Sequence, residues 1–327
     1  MNSSAATRRP PAIAVTGLRK SYGDKLVLDG IDLTVTEGTI FALLGPNGAG
    51  KTTAVQILST LVPADGGGVL VAGHDVNAEP DAVRAAIGVT GQFSAVDNLL
   101  TGEENLRLMT DLHHLGRAAG RRRSAALLRQ FGLEDAAGKP AATYSGGMRR
   151  RLDLAMTLTG SPKLIFLDEP TTGLDPRSRR TMWEIIRALA ADGVTILLTT
   201  QYLDEADQLA DQIAVLDHGR IVAAGTPDEL KRQIPGGHVE LEFASPDDLA
   251  AASALVNATS RDDEALTLQV PSDGTLDSLR SLIDQLDIGR VAVANLSIHT
   301  PDLDDVFFAF TGESDPNRPD PQKAARL

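Results

Sequence analysis

A glycine-rich segment between an apolar run and a predicted helix limits the fold of this chain more than any other feature. The run Thr39–Leu44 is almost entirely apolar, which is typical of a strand covered on both faces of a parallel sheet. It leads into Gly45-Pro46-Asn47-Gly48-Ala49-Gly50-Lys51-Thr52-Thr53, which fits G-x-x-x-x-G-K-[ST], and Lys51–Leu61 has a helical pattern. This order of strand, turn and helix predicts a phosphate-binding loop in an α/β fold.

The predicted loop has groups suited to each part of a nucleoside triphosphate. Its glycines let successive backbone N–H groups point at phosphate oxygens, and the helix N-terminus adds positive potential. Lys51 would reach the β- and γ-phosphates, and the Thr52 hydroxyl would ligate Mg²⁺. We therefore expect ATP and Mg²⁺ as ligands. The alternative, a glycine-rich turn that binds nothing, is disfavoured by the flanking strand and helix.

A second apolar run, Leu164–Leu167, ends in two adjacent carboxylates, Asp168 and Glu169. Such acids need solvent or a partner, because a buried unpaired charge is costly. Asp168 is placed to hold Mg²⁺ through its water shell, and Glu169 can polarise the attacking water as general base. The alternative is a strand end that merely opens into a loop, and the phosphate-binding loop favours the catalytic interpretation.

The segment Tyr144-Ser145-Gly146-Gly147-Met148 has the composition of a second anion-binding turn. A serine and two glycines lead into a predicted helix from Met148, whose positive end would join the Ser145 hydroxyl and the Gly147 N–H at a phosphate. A chain that already has one phosphate cradle needs a second only if two copies meet face to face. The segment therefore predicts a homodimer that sandwiches nucleotide.

These segments resemble the nucleotide-binding subunits of ABC transporters, over Ala12–Gln233. Tyr144 stands where leucine is commoner in the family signature. The resemblance implies that Ser145, Gly146 and Gly147 act across the dimer on ATP held by the other subunit.

The same resemblance implies roles for three positions outside these segments. Tyr22 matches the aromatic residue that stacks on adenine, and Gln92 matches the glutamine that senses the γ-phosphate and Mg²⁺ and faces the membrane partner. Asp175, in Gly173-Leu174-Asp175, matches the loop that crosses the dimer interface. Read alone, Tyr22 is equally consistent with an ordinary core or surface tyrosine, and Gln92 with an ordinary loop residue.

The end of the predicted strand Thr195–Thr199 departs from the family pattern. The family usually has a histidine there, as a switch touching the γ-phosphate, and this chain has Gln201. A glutamine can donate a hydrogen bond to phosphate but does not carry a proton near neutral pH. We therefore predict Glu169 as the base and Gln201 as a positioning donor, both catalytic. His218, the nearest histidine, is expected to be a turn residue.

Four segments narrow the resemblance to the daunorubicin/doxorubicin-resistance ATP-binding proteins: Val89–Asp97, Tyr144–Asp153, Thr199–Asp207 and Leu303–Phe308. This resemblance implies efflux of polyketide antibiotics such as anthracyclines, or of similar amphipathic compounds, and hence drug resistance. It also implies a polytopic ABC-2-type permease as partner and a peripheral place on the cytoplasmic face of the membrane. Relatives with the same motifs export complex lipids, so an exporter of lipids or other cell-envelope compounds is the alternative.

Alternating strand and helix signals predict an α/β domain with a mostly parallel sheet, followed by a small α+β domain. We predict an ATP-binding domain at 12–234 with a helical insert at about 93–160, and a C-terminal domain at 238–312. The ends, 1–11 and 313–327, are predicted to be disordered. Within the first domain, the strand Leu26–Val35 is expected to be interrupted at Asp29-Gly30.

Composition limits the possible partners. The chain has 31 Lys+Arg against 44 Asp+Glu, a net charge of −13, so we expect no nucleic-acid partner. The run Arg149–Arg151 is accordingly expected to be a solvated helix start or a partner contact. The absence of cysteine excludes disulfides and Cys-ligated zinc. No apolar run approaches the roughly 20 residues that span a bilayer, so a membrane role is expected only through a partner.

Three other functions remain open on the residues alone. A small-molecule kinase needs an acceptor site and has no use for Ser145–Gly147. A regulatory protein that binds ATP without hydrolysis would fit Gln201, but Glu169 argues against it. A soluble ABC ATPase that acts on ribosomes or DNA would usually have two cassettes or a long coiled-coil insertion, and the sequence has neither.

Overall fold

The structure is a computed structural model that describes residues 11–91, 95–234, 237–272, 275–299 and 302–311. The chain divides into two compact units, Met1–Pro227 and Asp228–Leu327. The predicted lead, apart from Pro11, and the predicted tail lie outside the described residues. The domain bounds 12–234 and 238–312 stay predictions.

The first unit contains ten strands and seven complete α-helices among its described residues. Its strands are β1 (Pro11–Tyr22), β2 (Lys25–Thr36), β3 (Ile40–Leu44), β4 (Gly66–Val71), β5 (His74–Asp75), β6 (Ile87–Thr90), β7 (Leu164–Asp168), β8 (Thr195–Thr200), β9 (Gln212–Asp217) and β10 (Arg220–Gly225). Its helices are α1 (Lys51–Leu58), α2 (Pro80–Ala86), α3 (Gly102–Leu112), α4 (Arg117–Gln130), α5 (Gly146–Thr157), α6 (Pro176–Ala191) and α7 (Leu203–Leu209). Helix α8 (Pro227–Arg232) begins at the division between the units.

A six-stranded sheet in the order β10-β9-β3-β8-β7-β6 positions the predicted site. Every pair in it is parallel except β9 with β10, which confirms the predicted α/β class. Strands β3, β7 and β8 are buried along their whole length, as their apolar sequences require. Because these three strands are parallel, their carboxyl ends lie at one edge of the sheet, where ligands bind in open α/β sheets.

A second, antiparallel sheet in the order β2-β1-β4-β5 shares a hydrophobic core with β3, α1 and β7. The expected interruption at Asp29-Gly30 is wrong, because β2 continues through it as a β-bulge. Leu18 pairs with Ile31 and Arg19 with Asp29, so Gly30 is the extra residue of the bulge. A bulge absorbs such a residue by bending the strand without ending it.

Helices α3, α4 and α5 form the helical layer in the region where the insert is predicted. Helix α3 begins with a capping box: the Thr101 side chain accepts from Glu104 N, and the Glu104 carboxylate accepts from Thr101 N. Three short 3-10 helices, at Glu134–Ala136, Ala141–Thr143 and Leu158–Gly160, connect the layer.

The second unit has an antiparallel sheet in the order β12-β13-β11-β14. Its strands are β11 (His238–Glu242), β12 (Ser260–Asp262), β13 (Thr267–Pro271) and β14 (Asn295–His299), and its helices are α9 (Pro246–Leu255), α10 (Leu276–Ile288) and α11 (Leu303–Thr311). Apolar residues of β11, β13, α9 and α10 form one core, as expected for a small α+β fold. Among the described helices of the whole chain, none is both long and apolar enough to cross a membrane.

Candidate nucleotide-binding site

The glycine-rich loop lies directly on neighbouring strands, and this closeness explains two of its glycines. A Cβ atom on Gly45 would lie 2.2 Å from the carbonyl oxygen of Leu216, and one on Gly50 would lie 2.9 Å from that of Val27. Gly50 also has a φ of 113°, which L-residues with a side chain avoid. The Gly45 N–H donates to the Thr200 carbonyl at 3.2 Å, so the loop is fixed to the end of β8.

Lys51 places a buried cation at this edge of the sheet. Its Nζ donates to the Gly45 and Pro46 carbonyls at 2.7 and 3.1 Å and lies 3.9 Å from Glu169 Oε1. Burial lowers the pKa of Lys51, while Glu169 and Asp168 act in the opposite direction. The loop, the cation and the two acids therefore meet at one point, as the sequence pattern predicts.

Asp168 and Thr52 form a small cluster of oxygen ligands beside Lys51. Thr52 Oγ1 donates to Asp168 Oδ1 at 3.4 Å, and Thr199 Oγ1 donates to the same oxygen at 2.5 Å. A hydroxyl and one carboxylate fit Mg²⁺, which prefers oxygen ligands and usually takes others from water and substrate phosphates. No cluster of three or more His, Cys, Asp or Glu suited to a metal occurs within the described ranges.

Glu169 adopts a backbone conformation that is rare for a residue with a side chain. Its φ is 47°, and its N–H donates to the carbonyl and the hydroxyl of Thr199 at 3.2 and 3.1 Å. Its carboxylate accepts from Thr172 Oγ1 at 3.2 Å and is 14% exposed. Such backbone strain costs on the order of 1–3 kcal/mol and persists only where surrounding contacts fix it. The turn thus holds a nearly buried carboxylate close to Lys51.

The run Arg149–Arg151 differs from the solvated helix start that the sequence suggests. The Arg150 guanidinium donates to the carbonyls of Asp168 and Pro170, at 2.9 and 3.0 Å. The Arg151 guanidinium donates to the Phe131 carbonyl at 2.7 Å. Both cations satisfy carbonyl groups inside the unit. Sequence alone could not show this, because these acceptors are backbone groups brought near only by the fold.

The serine-glycine turn caps α5 and packs against the start of α6. Ser145 Oγ accepts from Met148 N at 3.2 Å, and a Cβ on Gly147 would lie 2.6 Å from Ser178 Oγ. Asp175 caps α6 and accepts from the Ser178 N–H and hydroxyl at 3.0 and 2.6 Å. These hydrogen bonds lower the pKa of Asp175. The predicted signature and the predicted dimer loop are therefore neighbours.

A cleft of about 240 Å³ connects this turn with the acidic end of β7. Its lining includes Gly146 and Arg149 from α5, together with Asp168, Glu169 and Thr172. The structure therefore brings part of the predicted signature to the same cleft as the predicted base.

The remaining predicted residues have separate places. Tyr22 ends β1 and is 48% exposed, and Lys20 Nζ lies 5.3 Å from the ring centroid of Tyr22. Gln201 follows β8 directly and is half-buried. Gln92 lies outside the described residues. His218 has a φ of 44° and an exposed side chain in the turn between β9 and β10, where a turn residue is expected.

A buried acid next to the site, Glu205, is not identified from the sequence. Its Oε1 accepts from Thr171 Oγ1 at 2.8 Å and from Trp183 Nε1 at 3.1 Å. Burial raises the pKa of Glu205 despite these hydrogen bonds. The residue thus joins α7, α6 and the turn after Glu169. The only signal for it in the sequence is its place in α7, four residues after Gln201.

Comparisons with known proteins show which family the chain belongs to. Residues 28–172 match the ABC transporter family, and residues 225–311 match the C-terminal domain of DrrA1-3-like ATP-binding proteins. The chain is 47% identical over 304 residues to the daunorubicin resistance ATP-binding protein DrrA3 of Streptomyces coeruleorubidus, an alignment covering 92% of this chain and 96% of that protein. It is 39% identical to a Nod factor export ATP-binding protein I of Sinorhizobium fredii, covering 95% and 89% respectively.

Solved structures show the same fold for about two thirds of the chain. An ATP-binding subunit of an ABC transporter aligns with a TM-score of 0.61 at 32% identity, covering 68% of this chain and 92% of that one. A dimeric post-hydrolysis ATP-binding cassette with bound ADP and phosphate aligns with a TM-score of 0.59 at 26% identity, covering 65% and 98%. The chain therefore belongs to the ATP-binding subunits of ABC transporters, which are ATPases, and within them to the DrrA-like proteins.

Proposed function

We propose that this chain hydrolyses Mg-ATP to energise the export of polyketide antibiotics such as anthracyclines, or of similar amphipathic compounds. The observation that supports the ATPase part is the convergence of Lys51, Thr52, Asp168 and Glu169 at one edge of the parallel sheet. The cargo part rests on 47% identity to a daunorubicin resistance protein over nearly the whole length of both chains.

Each predicted site residue has a role in this proposal. In the loop Gly45–Thr53, the backbone N–H groups of Asn47–Thr53 would bind the phosphates, with Lys51 on the β- and γ-phosphates and Tyr22 against adenine. Thr52 and Asp168 would hold Mg²⁺, with Gln92 as a further ligand by resemblance. Bound Mg²⁺ would neutralise charge that develops on the phosphates.

Glu169 is proposed as the base that accepts a proton from the attacking water. Its carboxylate is nearly buried and faces Lys51 and Thr172, which fixes its direction. Gln201, at the end of β8, would donate a hydrogen bond to the γ-phosphate without accepting its proton. We therefore expect hydrolysis to depend on Glu169 and to be only weakened by loss of Gln201.

We propose that two copies of the chain sandwich two nucleotides. Ser145, Gly146 and Gly147 of each copy would bind the γ-phosphate held by the other, and Asp175 would lie at the interface. The resemblance to a cassette solved as a dimer supports this arrangement. Binding would close the dimer and hydrolysis would reopen it, a two-state change that a membrane partner can follow.

The proposed partner is a polytopic ABC-2-type permease, which would hold this chain at the cytoplasmic face of the membrane. A second cargo class is supported by the 39% identity to a Nod factor export protein. Complex lipids or other cell-envelope compounds are therefore the alternative substrates.

Phosphate release from the purified full chain tests the enzymatic assignment. Glu169→Gln keeps the shape of the side chain but removes the base, so we expect hydrolysis to fall at least about 100-fold while ATP still binds. Glu184→Gln, an exposed glutamate on α6, is the matched control. Equal rates for wild type and Glu169→Gln would contradict the assignment.

Mixing of two inactive variants tests whether each nucleotide site is formed by residues of two copies of the chain. Lys51→Ala removes the phosphate grip of one chain, and Ser145→Arg blocks the serine-glycine turn of its partner. A mixed dimer contains one intact site, so we expect the mixture to recover activity that neither variant has alone. A mixture that stays inactive would argue against nucleotide shared between copies.

Cargo is tested in cells that express this chain with a candidate permease. We expect lower accumulation of a fluorescent anthracycline than in cells whose chain has Glu169→Gln. Unchanged anthracycline accumulation, together with a change in extracted envelope lipids, would favour the alternative cargo.

A further inference from the structure

Arg150 joins two parts of the chain that are far apart in sequence. Its Nε donates to the Pro170 carbonyl at 3.0 Å, and its Nη2 donates to the carbonyls of Asp168 and Glu169 at 2.9 and 3.3 Å. Its Nη1 donates to the Gly91 carbonyl at 3.1 Å. One guanidinium therefore contacts three consecutive carbonyls of the strained turn and the residue directly before Gln92.

Asp153, one turn further along α5, completes this arrangement. Its Oδ2 lies 3.5 Å from Arg150 Nη1, and its Oδ1 accepts from the Ala95 N–H at 3.0 Å. Arg150 and Asp153 thus contact the described residues on either side of positions 92–94. Both side chains project from the helix that Ser145 caps.

The charges around Arg150 explain how a guanidinium is accommodated there. Burial lowers the pKa of Arg150, and the nearby carboxylates of Asp153, Asp168 and Glu205 oppose that effect. A buried arginine is tolerated when its donors are satisfied and its charge is balanced. The fork-shaped guanidinium also reaches several acceptors at once, which an ammonium group on a lysine does not.

We propose that Arg150 is a positioning residue for hydrolysis, which fixes the backbone of Glu169 relative to Gly91. This inference rests on the proposed role of Glu169 as base. The Glu169 turn adopts its unusual φ of 47° between two sets of contacts, Thr199 on its N–H side and Arg150 on its carbonyl side. Loss of the Arg150 contacts leaves the carboxylate present but lets the backbone of Glu169 shift, which moves the carboxylate out of line with the attacking water.

Arg151 provides a matched control on the same helix. Its Nη1 donates to the carbonyls of Phe131 and Gly132 at 2.7 and 3.3 Å. These bonds are of the same kind, guanidinium to carbonyl, but both acceptors belong to the helical layer. If Arg150 has only a structural role, substitution of either arginine should change the rate of ATP hydrolysis by a similar factor. If Arg150 positions Glu169, its substitution should lower that rate more than substitution of Arg151.

The test compares Arg150→Lys with Arg151→Lys in the full chain, by single-turnover hydrolysis of radiolabelled ATP, ATP affinity and thermal unfolding. For Arg150→Lys we expect the hydrolysis rate to fall at least about tenfold, with ATP affinity changed less than about threefold. For Arg151→Lys we expect a rate within about twofold of wild type, although its melting temperature also falls.

Three results would overturn the inference: a rate for Arg150→Lys within about twofold of wild type, an equal loss for both variants, or a loss that matches lost ATP affinity. If Arg150→Lys does not fold, Asp153→Asn replaces it, because asparagine still accepts from Ala95 but no longer pairs with Arg150. We expect a rate loss of at least about threefold there, and an unchanged rate would count against the inference. These results can be told apart from failure of the proposed function. If the chain were not an ATPase, the wild type itself would show no ATP hydrolysis that depends on Lys51.

Discussion

Tyr144 lies so close to Gly102 that it leaves no room for a Cβ atom there. The Tyr144 hydroxyl is buried and donates to the Ala136 carbonyl at 2.8 Å. A Cβ on Gly102 would lie 2.2 Å from that hydroxyl oxygen. Tyr144 stands where the family more often has leucine, so the glycine at the start of α3 matches the larger residue of this chain.

A double-mutant cycle tests this pairing. Gly102→Ala alone should lower the free energy of unfolding by about 1–3 kcal/mol, because the added methyl displaces a packed hydroxyl. In the Tyr144→Phe background the same change should cost at least about 1 kcal/mol less. Urea unfolding followed by far-UV circular dichroism and by emission of Trp183, the only tryptophan, measures both costs. Additive costs would show that the two residues do not compete for space.

The buried Glu205 should make stability depend on pH. Burial, with a smaller contribution from Asp204, holds the pKa of folded Glu205 above its value in the unfolded chain. The folded state therefore binds more protons in the window between the two values, and stability falls as pH rises through that window. Glu205→Gln cannot titrate, so its stability relative to wild type should increase from about pH 4 to about pH 8.

Urea midpoints across this range, followed by circular dichroism, measure the difference. The exposed Glu184→Gln variant is the control, and its stability relative to wild type should change little with pH. A constant difference for Glu205→Gln would contradict a raised pKa.

At the scale of elements, buried apolar runs were the most predictable part of the fold. The runs that became β3, β7 and β8 are each bounded by a clear chemical signal, so both the strands and the residues at their ends follow from the sequence. Strands β6 and β10 are not predicted, because Ile87–Thr90 is only four residues long and Arg220–Gly225 has no clear alternation. These strands depend on pairing with β7 and β9.

In the candidate site, too, some residues can be predicted from the local sequence and others only from the fold. Lys51, Thr52, Asp168 and Glu169 can be found because motif spacing encodes them. The contacts of Arg150 cannot, since four backbone carbonyls in two separate segments accept its hydrogen bonds. A run of three arginines therefore suggests solvent, while the fold gives each of the three a backbone carbonyl acceptor.

The contact between the starts of α5 and α6 predicts different changes in stability when each of two adjacent glycines is replaced by alanine. A Cβ on Gly147 would lie 2.6 and 2.9 Å from Oγ and Cβ of Ser178, whereas one on Gly146 would meet only Leu174 Cδ2, at 4.0 Å. Gly147→Ala should therefore destabilise the chain by about 1–3 kcal/mol. Gly146→Ala should be neutral or stabilising by up to about 1 kcal/mol, because alanine restricts the unfolded chain.

Thermal and urea unfolding of the full chain without nucleotide measure both effects, which separates packing from the proposed binding of phosphate. Equal destabilisation by the two substitutions would mean that α5 and α6 are not in the close contact that the structure shows.

At the scale of the whole molecule, net charge opposes the proposed dimer. Each copy has a formal charge of −13, so two copies repel each other over distances that salt screens. The proposed attraction, between bound phosphate and the serine-glycine turn, is short-range and shielded from solvent, and salt screens it less. Raising NaCl from about 50 mM to about 300 mM should therefore strengthen ATP-dependent association, lowering the dimer dissociation constant several-fold.

Sedimentation velocity of Glu169→Gln in saturating Mg-ATP measures this constant, because the variant should keep its nucleotide. ATP affinity is measured separately at both salt concentrations, so that lost nucleotide is not mistaken for a weaker dimer. Glu169→Gln combined with Ser145→Arg should stay monomeric throughout, since the substitution blocks the turn that is proposed to contact phosphate. A dimer that weakens as salt rises, with nucleotide still saturating, would mean that complementary surface charges hold the copies together and that the phosphate contact is secondary.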